Sequence, residues 1–327
     1  MKEKLLEVQN LTVHYRDEKD IIRAVNGVDF HINKGEVFGL VGETGAGKTT
    51  TALSIMRLLP KYNAIIPSGS ILFDGQDLLQ ASESKMREIR GADISMIFQD
   101  PMTSLNPVYP VGEQISEVLR LHNTDWSKKT VEKRVSEILL SVGIAPERRN
   151  EYPHQFSGGM KQRVMIAIAI ACQPRILIAD EPTTALDVTI QAQVISLMRE
   201  LIMILGSSVL LITHDLGVVA NFCDTVAIMY AGEIVEYGSI EDIFDRKQIH
   251  HPYTEGLFNS IPDIHTRTLR LNTITGLMPD PANLPDGCKF HPRCSRCMKE
   301  CRSETVGHYR QGSHFILCHL AANGGPV

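Results

Sequence analysis

Two rhythms of apolar residues run through the chain. As far as Leu40 the sequence is rich in strand formers: Leu5, Val8, Leu11 and Val13 predict an edge strand, and Gly27 and Gly35 mark turns. Val37 to Val41 is a short apolar strand, Thr49 to Leu59 has the composition of a helix, and Ser68 to Gly75 predicts another strand and its turn. Ile94 to Phe98 is a further strand, ending at Gln99. The rhythm then changes to three and four: Ile115, Val118 and Leu119, followed by Val131, Val135, Ile138 and Leu139, predict a helical insertion between Gly112 and Val142. Continuous apolar runs return at Ile176 to Ala179 and Val209 to Ile212 and fit parallel strands buried on both faces. The fold class is α/β, and in open sheets of this kind ligands sit beyond the C-terminal ends of the strands.

The strand at Val37 to Val41 leads into Gly42, Glu43, Thr44, Gly45, Ala46, Gly47, Lys48 and Thr49, followed by Thr50 and a helix. This order of strand, loop and helix is the context that a phosphate-binding loop requires. Glycines let successive N–H groups point inward, and the helix N-terminus adds partial positive charge where a β-phosphate would lie. Lys48 is placed to reach the β- and γ-phosphates and the Thr49 hydroxyl to ligate Mg²⁺. Without that context the segment would be an ordinary glycine-rich turn.

Other strand ends supply further polar groups. Gln99 would bind Mg²⁺ or the attacking water and report the γ-phosphate to the helical insertion. Asp180 and Glu181 end the strand that begins at Ile176; Asp180 would hold Mg²⁺ through water, and Glu181 would polarise the hydrolytic water as general base. His214 follows Val209 to Thr213 and would orient Glu181 and the water. Ser157, Gly158 and Gly159 open a helix running to about Ala171 and present N–H groups to an anion. One chain needs one phosphate site per nucleotide, so this second site is expected to cap an ATP held by another subunit.

The chain has 327 residues, 43% of them hydrophobic, which suits roughly two domains with a sizeable core. A net charge of −5, from 33 basic and 38 acidic residues, gives no basic field for nucleic acid. Met1 to Val8 alternates charged and apolar residues and predicts no secretion signal. The stretch Val164 to Cys172 stands out as the most apolar and is too short to span a bilayer, so a chain soluble by itself is expected, with any membrane role arising through a partner.

Beyond about Ser239 a linker-like stretch, Ile249-His250-His251-Pro252-Tyr253, precedes Cys288, Cys294, Cys297, Cys301 and Cys318. Cys172 and Cys223 lie in apolar contexts and are expected in the core. Clustered thiols in a cytosolic setting favour metal over disulfides, and four thiolates can hold tetrahedral zinc or a [4Fe–4S] cluster. Spacing leaves both open; the C-x-x-C of Cys294 and Cys297 suits zinc. His291, His308, His314 and His319 are potential replacement ligands.

The ordered motifs resemble those of ABC-family ATPases: Walker A at Gly42 to Thr49, Q-loop Gln99, signature Ser157-Gly158-Gly159, Walker B Ile176 to Asp180, D-loop Ala185-Leu186-Asp187 and switch His214. The likeness covers about residues 5 to 240. It implies a cassette with a RecA-like core, a β-rich subdomain and a helical insertion, pairing head to tail with a second cassette around two ATPs, and Tyr15 stacking on adenine. The signature departs from the commoner Leu-Ser-Gly-Gly-Gln at Phe156 and Met160.

More narrowly, Gln99 to Pro107 and the Cys-rich tail resemble the ATPase subunits of dipeptide, oligopeptide and nickel import permeases. That resemblance implies a cytoplasmic subunit peripheral on the inner face of the cell membrane. Its implied partners are a distinct second ATPase subunit, two transmembrane permeases docking near Gln99, and an extracytoplasmic peptide-binding protein; no nucleic acid is among them. It also implies that Cys288, Cys294, Cys301 and Cys318 carry an iron–sulfur cluster, with Cys297 outside the pattern. The domains expected are a nucleotide-binding domain over 1–240, with a helical subdomain at about 100–170, and a regulatory or metal-binding extension over 241–327. A soluble ABC ATPase acting on DNA or ribosomes would usually show two cassettes or a long heptad insertion, and neither is present. A P-loop kinase would not need the Ser157-Gly158-Gly159 signature.

Overall fold

A computed structural model describes residues 3–17, 20–100, 104–184, 186–261 and 273–322. In chain order the strands are β1 (Lys4–Arg16), β2 (Ile21–Asn33), β3 (Val37–Val41), β4 (Ala64–Phe73), β5 (Gln76–Asp77), β6 (Ile94–Ile97), β7 (Ile176–Asp180), β8 (Ser208–Thr213), β9 (Thr225–Tyr230), β10 (Glu233–Ser239), β11 (His308–Gln311) and β12 (His314–Leu317). They fall into two compact units.

One unit comprises Met1–Leu5, Ile32–Val37 and Gln80–Thr213. Its strands run parallel in the order β8-β7-β6, with Met96 opposite Ile178 and Ile178 opposite Leu210. Every residue of β6, β7 and β8 is buried, which is why these strands carry apolar runs without alternation. The predicted insertion forms two helices, Val111–His122 and Lys128–Ser141, the second N-capped by Ser127. A third helix, Gly158–Ile170, packs on Val188–Leu205: a Cβ added to Gly159 would lie 2.5 Å from Ile190 Cγ2.

The other unit comprises Leu6–His31, Phe38–Leu79 and His214–Val327. It holds a sheet in the order β2-β1-β4-β5, in which β1 and β4, and β4 and β5, pair antiparallel, and a second set in the order β11-β12-β10-β9-β3, in which β3 and β9 are parallel and the rest antiparallel.

Several expectations are revised. β1 is not an edge strand, since it pairs with both β2 and β4; its alternation records one buried face and says nothing of how many neighbours it has. Gly27 lies inside β2, at φ 68°, and its N–H donates to Thr12 Oγ1, so it kinks a strand and does not turn the chain. The helix after the phosphate loop spans only Lys48–Ile55. His250 and His251 are buried, at 5% and 1% exposure, and belong to no linker; both answer to a buried carboxylate described below. Among the described residues one helix, Val188–Leu205, is long and apolar enough by length and composition to cross a membrane, a candidate that the reading of Val164 to Cys172 as the most apolar stretch did not single out. Its stripe Val194, Met198, Leu201 and Ile202 is buried inside the unit.

Candidate nucleotide and thiol sites

The phosphate loop belongs to the unit that contains β3. Gly42 lets the chain pass so close to β9 that an added Cβ would sit 2.2 Å from the Met229 carbonyl oxygen. Gly47 takes φ 104° as N-cap of the following helix, a conformation that L side chains avoid. Lys48 is buried and its Nζ donates to the carbonyls of Gly42, at 2.7 Å, and Glu43, at 3.0 Å, so the ammonium is folded into the loop. Thr44, Gly45 and Thr49 are exposed, whereas Ala46 is buried and its carbonyl accepts from Gly232 N–H. Tyr15 and Thr50 meet at 3.3 Å between hydroxyls, which brings the aromatic ring beside the first turn of the loop's helix.

The other unit brings Gln99, Asp180 and Glu181 to the ends of adjacent parallel strands. Gln99 Nε2 donates to Glu181 Oε2 at 3.1 Å, and Thr184 Oγ1 donates to the same oxygen at 2.9 Å. Asp180 is buried at the end of β7. Glu181 takes a left-handed φ of 46°, with its N–H on the Ile212 carbonyl, a strained setting of the kind that gathers at functional positions.

Ser157 is the N-cap of its helix, yet its hydroxyl makes no capping bond, so the first-turn N–H groups are not satisfied by that side chain. Ser157 and Gly158 are exposed. The two departures of the signature share one neighbour: the Arg148 guanidinium lies 4.3 Å from the Phe156 ring centroid and donates to Met160 Sδ. Of the D-loop, Ala185 lies outside the described residues, as do Pro101, Met102 and Thr103 of the Gln99 segment; Asp187 caps Val188–Leu205 through the Ile190 N–H. His214 is exposed, directly after β8.

In the C-terminal region Cys288, Cys294, Cys301 and Cys318 line one small cavity, together with His251, His291 and His319. Cys297 is not among its lining residues; its thiol lies on the Met298 carbonyl. Burial, reinforced by neighbouring thiols, pushes Cys288 up to about 12, and burial also raises Cys294 and Cys318. His319 Nδ1 accepts from Gly307 N–H, and its Nε2 is buried with no hydrogen-bond partner among the described residues. His308 is exposed on β11. Cys223 is buried and Cys172 half-buried.

A second polar cluster was not anticipated. Glu236, fully buried on β10, accepts from His250 Nδ1 at 2.7 Å and His314 Nε2 at 2.9 Å on one oxygen, and from His251 N–H at 2.8 Å on the other. His250 Nε2 faces the Asp245 carbonyl at 3.0 Å, so both ring nitrogens meet acceptors, a setting that favours the protonated ring beside the buried carboxylate. Burial opposes both charges. The histidine hydrogen bonds nevertheless hold Glu236 down to about 2, and Glu236 holds His250 above the ordinary histidine value of 6.5. His251, wholly buried, is lowered to about 4 and accepts the Tyr253 N–H as a neutral ring.

The sign of the pH effect follows for each partner. Glu236, depressed from 4.5, stabilises above pH 4.5 and loses this as pH falls towards 2; His250, raised, stabilises fully below pH 6.5 and loses this as pH rises through its folded value. The melting-temperature advantage of the wild type over His250→Gln should therefore peak between pH 4.5 and 6.5 and shrink on either side, as measured by scanning fluorimetry.

Comparison with known proteins fits this geometry. Residues 25–184 match the family model described as ABC transporter, and residues 235–301 match the model described as oligopeptide/dipeptide transporter, C-terminal region. The dimeric structure of a post-hydrolysis state of the ATP-binding cassette MJ0796 bound to ADP and Pi resembles 72% of this chain and 99% of its own, with TM-score 0.65 and 28% identity. The protein is thus an ATP-binding cassette of the ABC transporter class. Oligopeptide transport ATP-binding protein AppD of Bacillus subtilis is 53% identical, covering 91% of this chain and 90% of its own. Dipeptide transport ATP-binding protein DppD of the same organism is 51% identical, covering 97% and 95%. The chain belongs to this family of oligopeptide and dipeptide transport ATP-binding proteins.

The sequence missed two sets of contacts, the Glu236 cluster and the partners of Glu43. A carboxylate inside a phosphate loop was itself a signal, since it calls for a cation nearby.

Proposed function

We propose that this chain hydrolyses ATP to drive uptake of di- and oligopeptides through partner membrane permeases. The observation that carries this reading is the union, in one chain, of a nucleotide cassette with the C-terminal region of oligopeptide/dipeptide transporters. Gly42 to Thr50 cradle the phosphates, with Lys48 turning from its loop carbonyls to the β- and γ-phosphates and Tyr15 against the adenine. Asp180, Thr49 and Gln99 hold Mg²⁺, Glu181 takes a proton from the attacking water, and His214 orients both. Ser157, Gly158 and Gly159 close on an ATP held by the second ATPase subunit of a heterodimer.

The nucleotide-binding domain occupies 1–240, with a helical subdomain at about 100–170, and 241–327 form the extension. The chain works at the cytoplasmic face of the membrane with two permeases, and an extracytoplasmic protein delivers the peptide. Copurification with two transmembrane partners and peptide-stimulated ATP hydrolysis in proteoliposomes test the reading; recovery on ribosomes or DNA instead would overturn it.

The extension holds a metal on Cys288, Cys294, Cys301 and Cys318, as a [4Fe–4S] cluster in preference to Zn²⁺. The fit rests on four thiols around one cavity, three of them, Cys288, Cys294 and Cys318, raised by burial and so holding their protons until a metal displaces them. The buried Nε2 of His319 at the same cavity offers an N–H to thiolate or sulfide sulfur. When bound, the metal supplies cross-links between segments that have little core of their own.

A further inference from the structure

Glu43 sits inside the phosphate loop, where a polyanion is to bind, and its carboxylate is met by a residue 250 positions away. Arg293 Nη1 donates to Glu43 Oε2 at 2.8 Å and Nη2 to Oε1 at 3.2 Å, a two-pronged pair in which the Arg293 side chain is only 6% exposed. The guanidinium is fixed on its other sides: Nε donates to the Thr275 carbonyl at 3.0 Å, and Cζ lies 5.7 Å from the Tyr230 ring centroid. The Glu43 N–H, one of the loop's own donors, is taken by the Tyr253 hydroxyl at 2.9 Å. Tyr253 is fully buried and packs against Tyr230 and Phe290 at ring distances of 4.7 and 5.5 Å. Thus two residues of the C-terminal extension fix the charge and the backbone of one phosphate-loop residue.

We propose that Arg293 is a positioning residue of the nucleotide site: its guanidinium cancels the Glu43 carboxylate and, with Tyr253, holds the loop in its phosphate-accepting form, so that the extension sets ATP affinity. This rests on the loop being the ATP site. An unpaired carboxylate in the loop repels the phosphates directly, and the buried guanidinium is too well anchored to leave without a substitution. Arg293 also precedes Cys294 in the turn His291–Arg293, so the segment that presents the guanidinium also presents a thiol of the cavity.

Equilibrium binding of ATP and AMP to the full chain and its variants decides the matter. Arg293→Ala should weaken ATP about tenfold or more and leave AMP, which lacks the β- and γ-phosphates, within about twofold. Glu43→Gln should bind ATP at least as tightly as wild type, and Glu43→Gln/Arg293→Ala should return to within about threefold of it. Unchanged ATP affinity in Arg293→Ala, equal losses for ATP and AMP, or failure of Glu43→Gln to rescue would each overturn the proposal. If Arg293→Ala does not fold, Glu43→Gln alone decides, because weaker ATP binding in that variant contradicts charge cancellation. Wild-type protein that binds no ATP would instead sink the underlying assignment of the loop.

Discussion

Glu181→Gln should cut ATP turnover by about a hundred- to ten-thousand-fold while leaving ATP bound, because the substitution removes the proton acceptor and little else. The carboxylate oxygen Oε2 already receives the Gln99 amide and the Thr184 hydroxyl. A glutamine at 181 can offer its carbonyl oxygen to both donors, so the geometry at the strand ends survives. The left-handed φ of 46° is equally accessible to either residue, and the strain at this position, of about 1–3 kcal/mol, is common to both proteins. Steady-state phosphate release and equilibrium ATP binding, measured side by side, check the split. Loss of binding and turnover together would mean that Glu181 is structural. Turnover within a few-fold of wild type would move the general base elsewhere.

Much of this site was legible because its residues punctuate strong elements. Gln99, Asp180 and His214 each end or follow an apolar strand, and such strands announce themselves by composition when both faces are buried. The glycines of the phosphate loop were legible for a related reason: close approach to Met229 and a φ of 104° leave no other residue type. Pairing state was less visible. The alternation of β1 is the same whether the strand has one neighbour or two, so its interior place between β2 and β4 carried no signal.

The polar contacts of the C-terminal region were the least legible. His250 and His251 resemble a solvated linker until Glu236 is placed beneath them, and Glu236 lies in a strand that would otherwise be read for its apolar residues. Glu43 in a phosphate loop calls for a cation, but Arg293 is an ordinary charged residue in sequence, and only folding makes the two a pair. Long-range polar pairs have no period, which is why sequence patterns that recover strands and helices pass over them.

Removing the metal proposed for the four cysteines, by chelation or by Cys301→Ser, should unfold the segment from Cys288 to Cys318 while sparing the parallel strands of the cassette. Outside its anchors at Arg293, Phe290 and His314, the segment has little of its own to hold it. Its regular structure is two short 3₁₀ turns, His291–Arg293 and Glu300–Arg302, and two four-residue strands, His308–Gln311 and His314–Leu317. Its local core is Ile316, Cys318 and Ala321, with Ile249, Tyr309 and Leu320 packed against it. A core of that size contributes a few kcal/mol, whereas a structural metal on thiolates is worth about 10 kcal/mol or more in apparent binding free energy. Cys301 is the informative position, being buried and accepting the Cys288 N–H at 2.9 Å through its carbonyl, so that one residue ties the two ends of the turn region. Iron, acid-labile sulfide and zinc analysis on anaerobically purified protein should find about four irons and four sulfides per chain, the composition of the cluster. Hydrogen exchange should then lose protection at 288–318 in Cys301→Ser and keep it at Val209–Ile212. One zinc without iron would make the centre a structural zinc site. No metal at all, with exchange unchanged in the variant, would leave the four thiols as plain packing and return the stability of the region to the Glu236 cluster.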